Sequence, residues 1–448
     1  MSRLTSRGWT SVDAAAFMKR AAGSHTVRWK ADVYRGTQTL ATDIPITNGR
    51  LVLDSSDPIR RHLTLEIGGA EQWVPRTPSS PLVPFGQRIT LWVRIDRDDG
   101  TWFPWLKMGE YQIVTHTFER PSLITTIECA DMSAAVDEYL LLGRRSFVGE
   151  TLENAITDLC EEAVPGYVFA VHASSSAQTK TIKNYVADAG TSRWEAATEI
   201  AQTRGHECFF DWNGDVVIRD DVTDDNDESI PGVGPDIGTV SNPIVTITDG
   251  VGGNLLGLTA SVSREGACNG VRINLHSTVP RKVRKKRNRD AGSSADACGN
   301  PTSGGGPSST VDWENAPIYK GILEAQTSGP VAWGGLFGHI PIVIERQVKD
   351  LKKWSSGGEE TWSDEQADAH RDAKRMLHRR RGVTRYLDMH TLPIYWLEPD
   401  DKVAVRWHEL SGASVTEAHF VQRIEWGLND GKMTVRTRQL QVTDPGSL

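Results

Sequence analysis

The fold is decided by a turn and a strand near the end of the chain, Glu398-Pro399-Asp400-Asp401-Lys402-Val403-Ala404-Val405-Arg406-Trp407. Proline and aspartate favour a tight turn, and the apolar residues at every second position after it predict a strand with one buried face. The neighbouring patterns predict, in order, a helix at Ser363–Arg381, a strand at Tyr386–Met389, and a hairpin of Phe420–Trp426 and Met433–Arg438 about the turn Asn429-Asp430-Gly431. This order of elements carries more functional information than any catalytic motif in the chain.

Length and composition narrow the possible classes of protein. A chain of 448 residues exceeds the size at which a single core stays favourable, so about two to four domains are expected. The hydrophobic content of 38%, the charged content of 24% and the net charge of −8 are typical of a globular protein that is soluble. They show no overall bias toward nucleic acid, so DNA binding would require a local basic patch.

Two further features bear on the cellular compartment in which the protein is made. No apolar run approaches the roughly 20 residues of a membrane helix, and residues 1 to 30 lack a basic segment followed by an apolar core. We therefore expect synthesis in the host cytoplasm and no stable membrane insertion. The cysteines are odd in number, widely spaced and without a C-x-x-C motif, so we expect reduced and mostly buried thiols. They are Cys129, Cys160, Cys208, Cys268 and Cys298.

The region from residue 20 to residue 130 has the alternation of β-strands. Val27–Val33 alternates apolar with charged side chains, as a half-buried strand does. The Asn48-Gly49 pair predicts a hairpin that joins Ile44–Ile46 to Leu51–Leu53, because Asn-Gly favours two-residue hairpin turns. Many short strands separated by turns predict an antiparallel barrel or sandwich.

The following region, residues 145 to 222, mixes helices with a hairpin. The first helix has one apolar stripe, and the second opens with a capping serine and stops at a glycine. We therefore expect a small α+β domain. The elements that define it are Leu152–Ala163, the helix marked by Ser192, Trp194 and Gly205, and the strands Cys208–Trp212 and Asp215–Arg219 about the turn Asn213-Gly214.

Strand patterns return after an acidic connection at residues 220 to 235. They are interrupted from residue 281 by a basic run and a segment rich in glycine, serine and proline, whose composition cannot form a core. We expect a flexible insertion at about residues 281–312. The predicted strands are Ile244–Thr248, Leu258–Val262 and Gly270–Leu275, and the apolar stripe of the later helix consists of Ala369, Ala373, Met376 and Leu377.

Motifs for catalysis and metal binding are missing from the sequence. His408-Glu409 lacks the second histidine of a helical zinc site, and the acidic run at 220–228 lacks the spacing of a calcium loop. The carboxylate pairs Asp96 with Asp99, and Asp400 with Asp401, lie in predicted turns, which favours a structural role over a glycosidase pair. The sequence therefore predicts no enzyme, no cofactor and no metal site.

A basic run is the candidate contact for DNA or for an acidic partner. Seven lysines and arginines within nine positions would suffice for several phosphate contacts. The run lacks interleaved aromatic residues that would stack on bases, so a solvated loop is favoured over DNA contact. Its members are Arg281, Lys282, Arg284, Lys285, Lys286, Arg287 and Arg289.

The 15 tryptophans suggest a second alternative, a carbohydrate platform. Tryptophan is favoured in cores and at protein interfaces as well as on sugar-binding surfaces, so its abundance alone does not separate these roles. Core and interface packing is the favoured interpretation. The candidates are the segment Trp102-Phe103-Pro104-Trp105 and the side chains of Trp313, Trp333, Trp354 and Trp362.

The order of elements resembles the baseplate hub proteins of tailed bacteriophages and related injection machines, in particular minor tail proteins of long-tailed phages that infect actinobacteria. In that family a helix with an early tryptophan and a terminal glycine leads into a hairpin, and a later turn reads Leu-x-Pro-Gly-Asp-x-Val. Leu397–Val403 matches this turn except that Asp400 replaces the glycine. The other matching segments are Thr191–Gly205, Phe210–Ile218, Val421–Ile424, Gly431–Met433, Gly109–Ile113 and Glu128–Ser133.

The resemblance implies a fold and a mechanical role. The expected fold is mixed and β-rich α+β, with two tube-type antiparallel β-barrel domains, residues 1–142 and 226–448, flanking a small α+β domain at 143–225. Matching structural positions are Trp194, Gly205, Asn213, Gly214, Pro399, Asp401, Val403, Ile424 and Gly431.

The implied function is a trimeric hub at the tail tip of the virion. Two β domains per chain would give six quasi-equivalent positions around a channel through which DNA passes. The implied partners are two further copies of the chain, the tail tube or distal tail protein, and a spike, fibre or tape-measure protein. A carbohydrate-binding or carbohydrate-cleaving tip protein and a DNA-contacting protein remain the alternatives.

Overall fold

The computed structural model of the chain describes residues 3–68, 71–120, 122–164, 167, 169–182, 185–220, 243–263, 269–277, 281–284, 313–316, 319–325, 333, 339, 341–348, 352–354, 360–362, 369–370, 373, 377, 384–409, 411–429 and 431–439. The helices are α1 (Arg3–Ser6), α2 (Ser11–Ala21), α3 (Met132–Asp137), α4 (Leu152–Ala163), α5 (Ser175–Thr179) and α6 (Arg193–Thr203), with a 3-10 turn at Glu71–Trp73. Residues 369, 370, 373 and 377 are also helical.

The strands carry most of the architecture. Those of the first and middle regions are β1 (Val27–Arg35), β2 (Gln38–Pro45), β3 (Asn48–Asp54), β4 (Arg61–Gly68), β5 (Gln87–Ile95), β6 (Leu106–Glu119), β7 (Ile124–Ala130), β8 (Arg145–Phe147), β9 (Val171–Ala173), β10 (Tyr185–Ala187), β11 (His206–Phe210) and β12 (Val216–Asp220). The remainder are β13 (Val245–Thr248), β14 (Leu255–Ser263), β15 (Gly270–Ser277), β16 (Arg281–Arg284), β17 (Trp313–Ala316), β18 (Tyr319–Ala325), β19 (Pro341–Val348), β20 (Lys352–Trp354), β21 (Glu360–Trp362), β22 (Thr384–Thr391), β23 (Lys402–His408), β24 (Ser414–Gly427) and β25 (Met433–Gln439).

A single sheet of 13 strands joins the two ends of the chain, and its path runs β14-β22-β25-β24-β3-β4-β7-β6-β5-β1-β2, with β23 and β13 attached beside β24. The link is the antiparallel pairing of β24 with β3, in which Arg423 lies opposite Asp54 and Gly427 lies opposite Arg50. One apolar cluster fills both halves, since Leu91 of β5 and Val435 of β25 belong to it and are fully buried. The prediction of a β-rich α+β fold is confirmed.

The two halves of this sheet have the same topology. In the first half the strands stand in the order β3-β4-β7-β6-β5, and in the second half in the order β14-β22-β25-β24-β23. Each strand of the first series has the same rank along the chain as its counterpart in the second. The pairings within each series are all antiparallel. A five-strand unit therefore occurs twice in the chain.

A bulge fixes the alignment of these two units. The corresponding strands β6 and β24 are both 14 residues long. In β6 the register shifts at Val114, and in β24 it shifts at Gln422, which is the ninth residue of each strand. A bulge adds one residue and bends the strand, so its recurrence at the same position is a specific structural match.

The middle of the chain forms its own apolar cluster. Helices α4 and α6 pack against β11, β12 and the parallel neighbour of β12, β9. The predicted stripe of α4 is buried, from Leu152 to Ala163. Ser192 caps α6 as expected, because its hydroxyl accepts the backbone N–H groups of Trp194 and Glu195 at 3.1 and 3.2 Å.

A third apolar cluster is formed by a separate three-stranded sheet and the late helix. Strand β15 pairs antiparallel with β18 and parallel with β19. Ala369, Ala373 and Leu377 of the late helix are buried against this small sheet, which confirms three of the four predicted stripe positions. Met376 and the helix ends at Ser363 and Arg381 lie outside the described residues.

The prediction of a hairpin about Asn48-Gly49 is wrong. Both residues lie inside β3, which pairs with β4 and β24, while β2 pairs with β1. The glycine is needed for a close approach of backbones, since a Cβ at Gly49 would lie 2.5 Å from the carbonyl oxygen of Thr64. Local sequence predicted a turn where a partner distant in sequence makes a strand.

The cysteine prediction is confirmed for the thiols that the structure describes. Cys129, Cys160 and Cys208 are free and buried. Burial raises the pKa of the Cys160 thiol to about 12 and also raises the pKa values of the other two. These thiols are therefore protonated and unreactive at neutral pH. Cys268 and Cys298 lie outside the described residues.

Candidate functional site

Three parts of the chain meet at a largely buried group of charged side chains that we call the ionic junction. Its core is Asp400, whose carboxylate accepts hydrogen bonds from Arg60 at 3.3 Å and from Arg219 at 2.7 Å. Glu207 pairs with the same two arginines, at 2.8 and 2.5 Å. Arg60 precedes β4, Glu207 and Arg219 belong to β11 and β12, and Asp400 precedes β23. The ionic junction therefore ties the first, middle and last regions together.

An aromatic ring completes the packing of these charges. The guanidinium groups of Arg60 and Arg219 lie 4.1 and 4.7 Å from the ring centre of Phe209. Planar guanidinium groups suit both bidentate carboxylate contact and stacking on a ring. A buried ion pair contributes little net stability, but loss of one partner leaves a charge without compensation. The arrangement therefore fixes relative orientation more than it adds free energy of unfolding.

A second ion pair lies beside the first. Glu398 accepts hydrogen bonds from Arg7 at 2.7 Å and from Arg61 at 2.5 Å, and all three side chains are nearly inaccessible to solvent. Burial alone would disfavour the charge of Arg61, but the carboxylate of Glu398 and other nearby negative groups outweigh it and raise its pKa. Arg7 also lies 4.6 Å over the ring of Trp212. The segment before α2 is thereby bound to the turn before β23.

The predicted hairpin about Asn213-Gly214 is present and reaches the first region. Gly214 has φ +84° and closes a turn that begins at Asp211, so the loop is longer than the two-residue turn implied by the sequence. Lys107 of β6 donates to the side-chain oxygen of Asn213 at 2.7 Å and to its carbonyl oxygen at 3.2 Å. These positions dock the middle region onto β6.

Trp194 and Gly205 have structural roles at the two ends of α6. The Trp194 ring is 2% exposed, and its indole N–H donates to the carbonyl oxygen of Pro58 at 3.1 Å. Gly205 has φ +74° and follows the end of the helix, where a left-handed residue is favoured. The tryptophan thus links the middle region to the loop before β4.

The turn before β23 explains the departure from the family motif. Asp400 has φ +69°, a conformation that glycine adopts with little strain, but its carboxylate is held by the two arginines of the ionic junction. Asp401 accepts the backbone N–H of Glu398 at 2.9 Å. The remaining motif positions serve the fold: Pro399 lies in the turn, Val403 and Ile424 are buried, and Gly431 has φ +62°.

The arginines of the ionic junction and the repeat that positions them were not predicted from the sequence. The repeat has a faint signal: Gly86-Gln87-Arg88-Ile89 precedes and enters β5 as Asp400-Asp401-Lys402-Val403 precedes and enters β23. Gly86 has φ +78°, close to that of Asp400. Gln87 and Asp401 are both fully buried. The arginines had no such signal, because scattered arginines are common on exposed surfaces.

The basic run is only partly placed. The backbone of Arg281, Lys282 and Arg284 lies in β16, which pairs with β17. Their side chains, and all of Lys285, Lys286, Arg287 and Arg289, lie outside the described residues, as do residues 221–228 of the acidic run. The DNA-contact hypothesis therefore stays a prediction. Within the described part of the chain, no group of three or more histidine, cysteine, aspartate or glutamate residues could hold a metal ion.

Arginines cover a face of both tryptophans in the Trp102–Trp105 segment. Arg28 lies 4.4 Å over the ring of Trp102, and Arg94 lies 4.2 Å over the ring of Trp105. Arginines therefore occupy ring faces that a sugar would need. The side chains of Trp313, Trp354 and Trp362 lie outside the described residues.

The carboxylates of the acidic turn at Asp96–Gly100 accept backbone hydrogen bonds. Asp96 accepts the backbone N–H of Thr26 at 2.7 Å, and Asp99 accepts that of Thr101 at 2.9 Å. These contacts fit the structural interpretation of the carboxylates. Among the helices that the structure describes, none combines the length and apolar character needed to cross a membrane.

This architecture is similar to that of a solved tail protein. A tail protein of Neisseria meningitidis matches with a TM-score of 0.54 and 12% identity, over 92% of this chain and 97% of that one. The chain has the fold of a tail protein. The 43 kDa tail protein of prophage MuSo2 from Shewanella oneidensis matches at 0.48, with 14% identity over 91% and 98% of the chains. A prophage tail protein of Listeria monocytogenes matches at 0.48, with 7% identity over 93% and 95%.

The tail-protein fold is shown by comparison of structures, at low sequence identity. No protein-family model and no curated protein matches the chain. At 12% identity the likeness to the Neisseria protein concerns the fold. The fold-level part of the sequence resemblance is confirmed, and the narrower assignment to actinobacterial phages stays a prediction.

Proposed function

We propose that the chain is a structural hub of a phage or phage-like tail. Three copies form a ring with six quasi-equivalent β regions, and this ring joins the hexameric tube or distal tail ring to a threefold tip. DNA passes through its centre. The proposal keeps the division into residues 1–142, 143–225 and 226–448, and it places the chain at the tail tip of the virion.

The observation that carries the proposal is the tail-protein fold, which extends over nearly the whole chain. The repeat of a five-strand unit supports it further, because a ring with six similar positions and three copies requires two similar units per chain. The ionic junction supports a mechanical role, since it holds the middle region in a fixed orientation against both β regions. These features require no catalytic group.

The test is the copy number, measured by native mass spectrometry of the purified protein and by electron microscopy of the assembled tip. We expect three copies in a closed ring. A stable monomer at micromolar concentration that is also monomeric at the tip would contradict the proposal. A glycan array and a salt titration of DNA binding serve as controls, because a hub predicts neither specific glycan binding nor tight DNA binding by the isolated protein.

A further inference from the structure

We infer that β6 of one copy pairs with β14 of the next copy, through residues 115–119 and 259–263. This inference deepens the proposed hub function and depends on it for the presence of a second copy. The β24–β3 pairing inside the chain is the pattern for the pairing between chains.

The pattern is well defined within one chain. After its bulge, β24 leaves β23 and pairs antiparallel with β3, from Arg423 opposite Asp54 to Gly427 opposite Arg50. Ile424 and Trp426 are buried in this pairing. The segment after the bulge thus serves to join one five-strand unit to the next.

The repeat assigns the corresponding strands residue by residue. The residue before each bulge lies opposite Cys129 in the first unit and Thr437 in the second. Cys129 lies opposite Leu63, and Thr437 lies opposite Leu387.

The first strand of each unit follows from the same register. Leu63 lies opposite Leu51 of β3, and Leu387 lies opposite Ala260 of β14. Strand β14 therefore corresponds to β3, with Ala260 in the place of Leu51.

Both edges that the inference joins are open within the described chain. Strand β5 pairs with β6 only as far as Gln112, so the segment of β6 after Val114 has β7 on one side and no described strand on the other. Among the described strands, β14 pairs with β22 alone. Unpaired backbone N–H and C=O groups at a strand edge form a template for a further strand.

The edges belong to different ends of the molecule, so the occupant is a second copy. Six strands separate β14 from β6 along the sheet path. An edge of the first unit that binds an edge of the second gives a head-to-tail contact, and such contacts repeat until a ring closes. The internal β24–β3 pairing and the external β6–β14 pairing then alternate around the ring.

The side chains at the open edge of β6 are suited to further burial. His116 and Phe118 correspond to Ile424 and Trp426, but they are only half-buried, whereas their counterparts are covered. The residue that corresponds to Leu51 is Ala260, which is exposed. A small residue opposite Phe118 leaves room for the ring in the strand pairing.

The expected register brings no like charges together. It places Thr117 opposite Ser261 and Glu119 opposite Thr259, and a cross-strand pair of hydroxyl groups such as Thr117 with Ser261 is favourable. The internal pairing has charged pairs instead, such as Arg50 with Glu425 at 2.5 Å. The pairing between copies is therefore expected to depend less on salt than the internal one.

Disulfide trapping tests the register. The double variant Thr117→Cys with Ser261→Cys places the two thiols on directly opposed residues, so oxidation of the assembled protein is expected to give covalent dimers and trimers on a non-reducing gel. The matched control, Thr117→Cys with Ala260→Cys, shifts one thiol to the other face of the strand and is expected to give at least tenfold less product. The single variants measure the background from native cysteines.

The outcomes separate the inference from the proposed function. Cross-linking of the 117–261 pair, without cross-linking of the 117–260 pair, supports the pairing. Trimers by mass that fail to cross-link, or that cross-link equally in both variants, overturn the pairing and leave the hub function standing. A protein that is monomeric in solution and at the tip overturns both.

Discussion

Two segments of equal length and equal topology differ in what lies beside them. After the bulge in β24, Ile424 and Trp426 are buried because β3 of the same chain pairs with that segment. After the bulge in β6, His116 and Phe118 are half-buried because no described strand pairs there. The repeated unit therefore has a strand edge in both places. Within the described chain only the edge of β24 is paired with a further strand.

The turns before β5 and β23 differ in a similar way. Gly86 and Asp400 share a left-handed conformation, but only Asp400 has a side chain that binds other regions. The first turn uses the residue that adopts this conformation with little strain. The second turn accepts the strain in return for contacts to Arg60 and Arg219. The second unit is thus the one that anchors the middle region.

The largest effect is expected when the β24–β3 pairing loses its central aromatic ring. Trp426 is 1% exposed, so Trp426→Ala is expected to lower the free energy of unfolding by about 4 kcal/mol, through lost burial and a residual cavity. Urea unfolding followed by circular dichroism measures this change.

Phe118→Ala is the matched variant in the first unit. The ring is only half-buried within the chain, so the free energy of unfolding of the monomer is expected to fall by about 1 kcal/mol, while the trimer measured by mass is lost. Equal destabilisation of the monomer by both substitutions would contradict the difference between the two segments.

An intermediate effect is expected at the left-handed turn. Asp400→Ala removes a partner from two arginines and leaves a Cβ at φ +69°, so a loss of about 3 kcal/mol in the free energy of unfolding is expected. Asp400→Gly relieves the backbone strain and is expected to recover about 1 kcal/mol of that loss. Thermal and urea unfolding of both variants provide the measurement.

Gly86→Ala measures the backbone strain of the left-handed conformation without the loss of a side-chain contact. An added Cβ at Gly86 meets no atom within 4 Å, and the residue has φ +78°, so a cost of about 1 kcal/mol is expected. Because Asp400 already has a Cβ in this conformation, an Asp400→Ala variant as stable as the parent protein would show that the contacts of the ionic junction contribute nothing to stability.

The smallest effect is expected in the pH dependence of the free energy of unfolding, because His116 stands where the second unit has Ile424. Burial lowers the pKa of His116 below its ordinary value of 6.5, and a contact with the backbone of Trp73 only partly opposes this shift. As the pH falls below that ordinary value, the unfolded chain binds the proton first, so the free energy of unfolding decreases.

His116→Ile is expected to remove this component of the pH dependence. Urea midpoints at about pH 7 and about pH 5 should move closer together in the variant than in the parent protein. A variant with an unchanged difference between the two midpoints would show that His116 does not titrate differently in the folded and unfolded states.

Local sequence predicted the elements well where neighbours along the chain determine them. The capping serine Ser192, the stop at Gly205 and the hairpin about Gly214 all depend on residues within a few positions, and the structure contains them. The stripe of α4 follows from helix periodicity alone. Such features are set by backbone conformation and helix geometry.

The relations between distant parts could not be predicted in this way. Gly49 was misassigned because its neighbours β24 and Leu428 come from the far end of the sequence. The ionic junction has members near residues 60, 210 and 400, so no local pattern contains it. The long segment 264–383 separates β14 from β22 and hides the repeated unit, which becomes visible only in the order of the strands.

The covalent connection across the β24–β3 pairing has a consequence for the entropy of assembly. In the proposed ring, three of the six contacts between units form within single chains, where the two partners are held at high effective concentration. The other three contacts join separate chains; two of them require an encounter between separate molecules, which loses on the order of 4–15 kcal/mol of translational and rotational freedom each time, and the third closes the ring. A ring with six positions is therefore reached at lower protein concentration than six separate units would need, and the two kinds of unit are always present in equal number.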